Sequence, residues 1–350
     1  MTSSPPFSLP STGSPASGQV SSDQSQSGKR GFSTLYDALE ISINKKRKGT
    51  GNDPLAPFRR SARWVGRGID PFVRLWDAFR IAAAYNFAED EAVDDEEAQI
   101  PQDLAVGMTA RDIQLHRSVC RRTKALLPNF DQVLEAFEDT PGATMQLLDT
   151  MNSTMSQCRS DDIGTLKTYG LNIVEAYALK PNEKVMWEEK KQSYPVKSTR
   201  GFNDNIFGRL ICPHKYSVEF EANPDVFCRN ALQSDGGIII LASDLPAFLY
   251  DGAYNSEAID EGLLRGILPV MLYKCIFRSP SLVTGGSQAK GRFSHSQIHG
   301  LTRVTPHTIA YVCMLTRFFC SAIASWREMD GTFSYKEFYS LDICGVFWLE

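Results

Sequence analysis

The sequence lacks the features by which membrane and secreted proteins are recognised. No apolar run reaches the ~18–20 residues that a membrane-spanning helix needs. Residues 1–28 have neither the basic start nor the apolar run of a signal peptide. The eight cysteines include no C-x-x-C pair, and several lie on apolar helical faces, as reduced cysteines of a protein core do. We therefore expect no membrane contact and a reducing compartment, the nucleus or the cytoplasm.

The sequence also lacks an overall positive charge. Its net charge is −4, so no global field favours nucleic acid or a membrane surface. The charge is uneven, however: residues 29–80 are rich in Lys and Arg, and residues 89–97 are mostly acidic. The acidic run either folds back on the basic segment or is solvated. Contact with a polyanion is therefore expected only from a local segment.

Residues 1–58 are predicted to form a disordered, basic tail. Ser, Pro, Gly and Gln dominate residues 1–28, which cannot bury enough apolar surface to offset the entropy of ordering. Two basic clusters follow, and they resemble a bipartite nuclear import signal that acidic pockets of an import receptor would bind. They comprise Lys29, Arg30, Lys45, Lys46, Arg47 and Lys48. A solvated basic linker is the alternative interpretation.

Four arginines follow this tail and alternate with aromatic residues. They are Arg59, Arg60, Arg63 and Arg67, beside Phe58 and Trp64. Because arginine pairs with phosphates and aromatic rings stack on bases, the arginines are candidates for nucleic-acid contact. The alternative, which we favour, is a segment at the domain edge whose Trp packs inward and whose arginines face water or acidic residues.

The remaining chain shows apolar residues at helical spacing behind clear start signals. Thr305-Pro306 starts an almost entirely apolar helix to about Trp326, typical of a helix buried in a larger domain. Asp70-Pro71 starts a helix to about Tyr85. Thr109 and Asp112 form a capping box. These signals predict a mostly helical protein.

The predicted fold is mostly α, with one multi-helix globular domain over residues 59–340 behind the disordered N-terminal tail. At most a minor β-strand or hairpin is expected, with residues 237–242 the one segment typical of a buried strand. Residues 180–235 are predicted to be mostly loop. Residues 341–350 form an atypical, truncated-looking end.

Adjacent carboxylates occur at Asp161 and Asp162, with Lys167 nearby. A metal-dependent nuclease needs such acids to converge on a metal ion. Neighbouring residues of a helix point about 100° apart, however, so these two do not converge by themselves. We instead expect Ser160 to cap a helix here, with both acids in its first turn, where the helix dipole favours anions.

Two other pairs resemble functional patterns. His295 and His299 have the spacing of two zinc ligands on one helical face, but no third ligand is evident. Cys212 and His214 are too near in sequence to face each other easily as nucleophile and base. We therefore assign no catalytic residue, no metal and no cofactor, and the sequence does not establish an enzyme.

If the domain has a ligand pocket, Arg303 is its first candidate. Arginines near or within an apolar helix, such as Arg303 and Arg317, are expected to meet buried carboxylates or carbonyls. Arg200, Asn203 and His299 complete the set of candidate pocket residues.

Several short blocks occur in a fixed order, most clearly after residue 159. They include Arg159-Ser-Asp-Asp162, Arg200-Gly-Phe-Asn203, Gly208-Arg-Leu, Phe248-Leu-Tyr250 and His299-Gly-Leu-Thr-Arg-Val-Thr-Pro306. The ordered set, over roughly residues 59–339, resembles a family of uncharacterised proteins from mushroom-forming fungi, a domain of unknown function. The resemblance implies a fungal, intracellular protein and brings no activity with it.

Three functions are compatible with these patterns. The preferred one is a non-catalytic intracellular, nuclear binding protein that contacts nucleic acid or a nuclear partner through its basic N-terminal segment. One alternative is a metal-dependent enzyme that acts on phosphodiesters. The other is a scaffold that binds another protein and performs no chemistry.

Overall fold

A computed structural model describes residue 35 and residues 37–39, 53–91, 107–127, 129–140, 142–233, 236–285 and 294–341. The fold is mostly α-helical, as predicted, with one two-stranded antiparallel sheet in these ranges. The basic clusters at residues 29–30 and 45–48 and the acidic residues 92–97 lie outside the described ranges.

Fourteen α-helices are described. They are α1 (Ala56–Gly68), α2 (Leu75–Glu91), α3 (Ala110–Ala125), α4 (Phe130–Ala136), α5 (Ala143–Tyr177), α6 (Lys184–Lys190), α7 (Asn205–Ile211), α8 (Ser217–Ala222), α9 (Pro224–Ala231), α10 (Ile267–Tyr273), α11 (Ser281–Thr284), α12 (His295–Ile298), α13 (Pro306–Cys320) and α14 (Tyr335–Ser340). A single π-helical turn, Lys274–Arg278, continues α10. The sheet pairs β1 (Met329–Asp330) with β2 (Phe333–Ser334).

Helix α5 is one continuous helix of 35 residues. The prediction that Ser160 begins a new helix is therefore wrong. The Ser160 hydroxyl donates to the main-chain carbonyl of Ser156, four residues earlier, as serines inside helices do. The helix continues through this point because buried apolar residues lie on both sides of it, among them Met155 and Leu166.

Two apolar clusters form the core, and α5 runs through both. The first contains α1 to α4 and the N-terminal half of α5. It also includes Leu35 and Leu39, which are buried although they belong to the predicted disordered tail. The second cluster contains the C-terminal half of α5 and packs around α13. Residues 310–320 of α13 are all buried, which confirms the prediction of a buried helix.

The start signals are confirmed more often than the ends. Thr305 caps α13 and Thr109 caps α3, each in a capping box. Helix α13 ends at Cys320 rather than near Trp326. Asp70 caps only a turn, through hydrogen bonds from the main-chain N–H groups of Phe72 and Val73. Helix α2 begins later, at Leu75, whose N–H bonds to the Asn152 side chain of α5.

Two regions differ from the predictions. Residues 237–242 do not form a strand: Ile240 and Ala242 are buried and Ile239 and Leu241 are exposed, but no described strand pairs with them. Residues 180–233, predicted as mostly loop, contain the short helices α6 to α9. These helices have seven, seven, six and eight residues, too few for helical periodicity to stand out.

Candidate functional site

A buried group of charged and polar side chains joins α1, α5 and α13. Asp162 accepts two hydrogen bonds from Arg67, at 2.8 Å from Nε and 2.7 Å from Nη2. It also accepts one from the Tyr311 hydroxyl, at 2.7 Å. The side chains of Arg67 and Asp162 are each only 2% exposed. This fork geometry satisfies two buried charges with one planar contact.

The same group explains two pKa shifts. Burial alone would lower the pKa of Arg67, but the hydrogen bonds and the negative charge of Asp162 raise it overall. Burial, together with the Asp162 charge, raises the pKa of the Tyr311 hydroxyl well above its ordinary value. Asp162 is thus committed to a structural ion pair. It is not available as a nuclease ligand, and Asp161 is exposed beside it, bonded to Gln157.

The two histidines considered as zinc ligands have other partners. The ring nitrogens of His295 lie 3.3 and 3.2 Å from Arg67 Nη1 and Nη2. His299 stacks on Trp64, with ring centroids 5.1 Å apart. Burial and the nearby positive charges of Arg67 and other arginines lower the pKa of His299 to about 4. In the described part of the chain, no three His, Cys, Asp or Glu side chains are close enough to hold a metal ion.

The four candidate nucleic-acid arginines differ in their exposure and in their partners. Arg67 is buried in the ion pair, so its assignment as a nucleic-acid contact is wrong. Arg59 pairs with Asp53. Arg60 and Arg63 are exposed, three residues apart on one face of α1, and have no ion-pair partner among the described residues. Arg60 and Arg63 can therefore meet a phosphate from solution without giving up an ion pair among the described residues.

The candidate ligand pocket is not assembled as predicted. Arg200 is buried and donates from Nε to the Tyr194 carbonyl at 2.7 Å and from Nη1 to the Phe319 carbonyl at 3.0 Å. Asn203 bonds to the Ser198 carbonyl. His299 instead contacts Trp64 on α1. The Arg200 guanidinium closes the C-terminus of α13, where carbonyls lack helical partners.

Among the residues that the structure describes, Arg303 meets no buried carboxylate or carbonyl. It is exposed, in the segment between α12 and α13. The expectation holds in part for Arg317, which is buried and pairs with the half-buried carboxylate of Asp330 at 3.1 Å. An apolar helix covers an arginine that lies within it, such as Arg317. Arg303 precedes the first residue of α13, Pro306, and is therefore not covered by the surrounding helices.

The cysteines do not form reactive sites in the described ranges. All seven described cysteines are free and buried. Burial raises the pKa of Cys158, Cys275 and Cys320 to about 12, so their thiols stay protonated and unreactive. Cys212 donates to the Pro213 carbonyl. His214 stacks on Tyr250 at a centroid distance of 3.9 Å, so the pair is not a nucleophile and its base.

The comparisons with known proteins identify a family but no activity. The family of unknown function DUF6698 matches residues 153–343, more than half of the chain. The chain belongs to this family. No curated protein and no solved structure matches it. The DUF6698 segment contains Asp162 and Tyr311 but not Arg67, so the buried ion pair joins the family segment to α1, which lies outside it.

No described helix is both long and apolar enough to cross a bilayer.

Sequence reasoning missed the pairing of Arg67 with Asp162, although one signal was present. Asp162 follows Met155 and Cys158 and precedes Leu166 at helical spacing, which puts it on the apolar face of α5. Nothing comparable in the sequence indicates that Arg67 is the partner, because a contact across 95 positions leaves no periodic pattern.

Proposed function

We propose that this DUF6698 protein is a non-catalytic nuclear binding protein that contacts nucleic-acid phosphates through Arg60 and Arg63 and the basic segments before them. The observation that carries the proposal is the exposure of these two arginines on one face of α1, with no carboxylate partner among the described residues. An arginine without a carboxylate is free to pair with a phosphate and release its counterions.

The position of α1 supports this assignment. Its opposite face is buried through Phe58, Ala62 and Val65, and the Arg67 ion pair anchors its C-terminal end to α5. Arg60 and Arg63 are therefore held on a rigid element rather than on a free chain. Import into the nucleus by the clusters at residues 29–30 and 45–48, and the fungal origin that the ordered blocks imply, belong to the same proposal.

The alternative of a metal-dependent phosphodiesterase is less well supported by the geometry. It relied on Asp161 and Asp162 or on the histidine pair. Asp162 is neutralised by Arg67, and the histidines contact Arg67 and Trp64. The scaffold alternative predicts binding to a protein and none to nucleic acid. A test of nucleic-acid binding therefore distinguishes the scaffold from the proposed function.

The experiment is fluorescence anisotropy of labelled single- and double-stranded DNA and RNA with the full-length protein over a salt series. The test variant is Arg60→Gln with Arg63→Gln. The control, Arg229→Gln with Arg265→Gln, removes the same charge from two exposed arginines on other elements. For a duplex, we expect the test pair to reduce the slope of log affinity against log salt by about two.

The control pair should leave that slope close to the wild-type value. Equal losses in the two double variants would show that only net charge matters, and the proposal would then be wrong. Absence of any binding at low salt would also contradict it and would favour the protein scaffold.

A further inference from the structure

A polar cleft lies where the two core clusters meet. Its floor is the exposed face of α5 from Asp149 to Ser160, and its walls are residues 71–74 and residues 326–328. In the first wall Val73 belongs to the first cluster, whereas Phe72 and, in the other wall, Trp326 pack against the second cluster. The volume is about 880 Å³, within the range of small-molecule sites.

Arg159 connects the two walls. Its Nη1 donates to the main-chain carbonyl of Pro71 at 3.2 Å. Its guanidinium carbon lies 4.8 Å from the centroid of the Trp326 ring. Arg159 is half-buried, and no described carboxylate forms an ion pair with it. A guanidinium has five N–H donors, and the contact to Pro71 is the only hydrogen bond found for Arg159 among the described residues.

Two further arginines stand at the rims of the cleft. Arg74 lies on one wall and Arg327 on the other, and both are exposed without an ion-pair partner in the described ranges. Asp149 and Glu328 also line the cleft. Three arginines against two carboxylates leave one positive charge. Arginine forks match the geometry of a phosphate better than an ammonium does.

The remaining floor carries small hydroxyl and amide groups, from Ser153, Ser156, Gln157 and Ser160. Ser160 and Gln157 already donate to Ser156 and Asp161, but their side-chain oxygens can still accept hydrogen bonds, so these groups suit a ligand rich in hydroxyls. The two aromatic rings that line the cleft already have partners, because Arg159 covers Trp326 and Phe72 packs against Trp326 and Tyr339.

We propose that this cleft binds a sugar phosphate, with the phosphate at Arg159, Arg74 and Arg327 and the sugar hydroxyls along α5. Asn152, on the floor, accepts a hydrogen bond from the main-chain N–H of Leu75 at the start of α2 and so holds the adjacent wall of residues 71–74 in place. This site is separate from Arg60 and Arg63, so it stands whether or not the protein binds nucleic acid.

Isothermal titration calorimetry of the full-length protein at constant ionic strength tests the site. The probes are glucose 6-phosphate, glucose, inorganic phosphate and AMP. We expect glucose 6-phosphate to bind, glucose not to bind, and inorganic phosphate and AMP to bind at least about tenfold more weakly. The double variant Arg74→Gln, Arg327→Gln should raise the Kd for glucose 6-phosphate by at least about tenfold, as expected for loss of charge-assisted hydrogen bonds.

The double variant Arg229→Gln, Arg265→Gln is the control and should keep the wild-type Kd. Because Arg74 and Arg327 are exposed, their loss should leave the melting temperature unchanged, so weaker binding would not reflect unfolding. Arg159→Gln should also weaken binding, but its stacking on Trp326 makes it the less clean variant. Inorganic phosphate or AMP binding as tightly as glucose 6-phosphate would overturn the sugar assignment. No binding of any probe, or equal Kd values in both double variants, would overturn the site itself.

Discussion

The ammonium group of Lys197 lies 3.6 Å from the centroid of the Phe318 ring and donates a hydrogen bond to the carbonyl of the same residue. Lys197 is 8% exposed. Together with Arg200, which bonds to the Phe319 carbonyl, it occupies the C-terminus of α13. Two basic side chains thus satisfy the last carbonyls of a buried helix, at the end where the helix dipole favours positive charge.

The first prediction concerns pH. Burial, followed by the nearby charge of Arg200, lowers the pKa of Lys197 to about 7. Between pH 7 and about 10.5 the unfolded chain therefore binds a proton that the folded chain has released, so the free energy of unfolding rises with pH. We expect urea unfolding under reducing conditions to show this rise. From pH 7.5 to 9.5, the wild-type protein should gain about 2 kcal/mol relative to Lys197→Met.

The difference between the two proteins isolates Lys197, since other groups titrate in both. Parallel pH curves for wild type and Lys197→Met would show that Lys197 stays charged in the folded protein.

The second prediction concerns the buried ion pair. Arg67→Met leaves the Asp162 carboxylate buried without its charge partner. Asp162→Leu leaves the Arg67 guanidinium buried without a carboxylate. Each should cost about 3–5 kcal/mol in the free energy of unfolding. The double variant should cost less than either single change, because no buried charge is then left unpaired. Chemical denaturation of the four proteins provides the double-mutant cycle.

Tyr311→Phe provides a smaller reference, because it removes only one hydrogen bond to Asp162 and should cost about 1–2 kcal/mol. Additive losses in the double variant would mean that Arg67 and Asp162 do not depend on each other.

The third prediction compares two glycines of α5. An added Cβ at Gly170 would lie 2.6 Å from the Phe319 ring, whereas nothing lies within 4 Å of a Cβ at Gly164. Gly170→Ala forces α5 away from α13 and should destabilise the protein by about 1–3 kcal/mol. Gly164→Ala should stabilise it by up to about 1 kcal/mol, because alanine has the higher helix propensity.

Thermal or urea unfolding of the two variants measures both effects. The same sign in both would contradict the close approach of α5 and α13.

The fourth prediction concerns location. In cells that express the protein fused to a fluorescent reporter, replacement of Lys45, Lys46, Arg47 and Lys48 by alanine should move the fluorescence from the nucleus to the cytoplasm. An import receptor recognises the cationic side chains, which alanine lacks. The variant Arg60→Gln, Arg63→Gln serves as the control and should stay nuclear. A wild-type fusion spread through the cytoplasm would remove the support for nuclear import.

The helix starts were predictable from sequence because a cap is a local feature. Thr305 and Pro306 lie next to each other, and the hydroxyl bonds within the same turn. The end of α13 was not predictable, because its carbonyls are taken by Lys197 and Arg200, more than a hundred positions away. Apolar periodicity continues past Cys320 to Trp326, but that ring packs as part of an irregular segment.

In the candidate site, too, the local features were predictable from the sequence and the contacts between distant residues were not. That some arginines of the basic segment face water was predictable from their number and spacing. Which of them do so was not, since Arg67 differs from Arg63 only through Asp162 and His295, both distant in sequence. The cleft at Arg159 is likewise a product of tertiary packing. The sequence shows Arg159 only as part of the block Arg159-Ser-Asp-Asp162. The contacts of Arg159 with Pro71 and Trp326 depend on the fold.

Because α5 is one continuous helix, it limits which truncated fragments of the chain can fold. The DUF6698 match begins at residue 153, in the middle of that helix. A fragment that starts there would lose the N-terminal turns of α5, expose the apolar side of Met155, and leave Asp162 buried without Arg67. An autonomous folding unit therefore has to include α1 and the buried Leu35 and Leu39 that precede it, and expression of the family segment alone should yield an aggregating polypeptide rather than a domain.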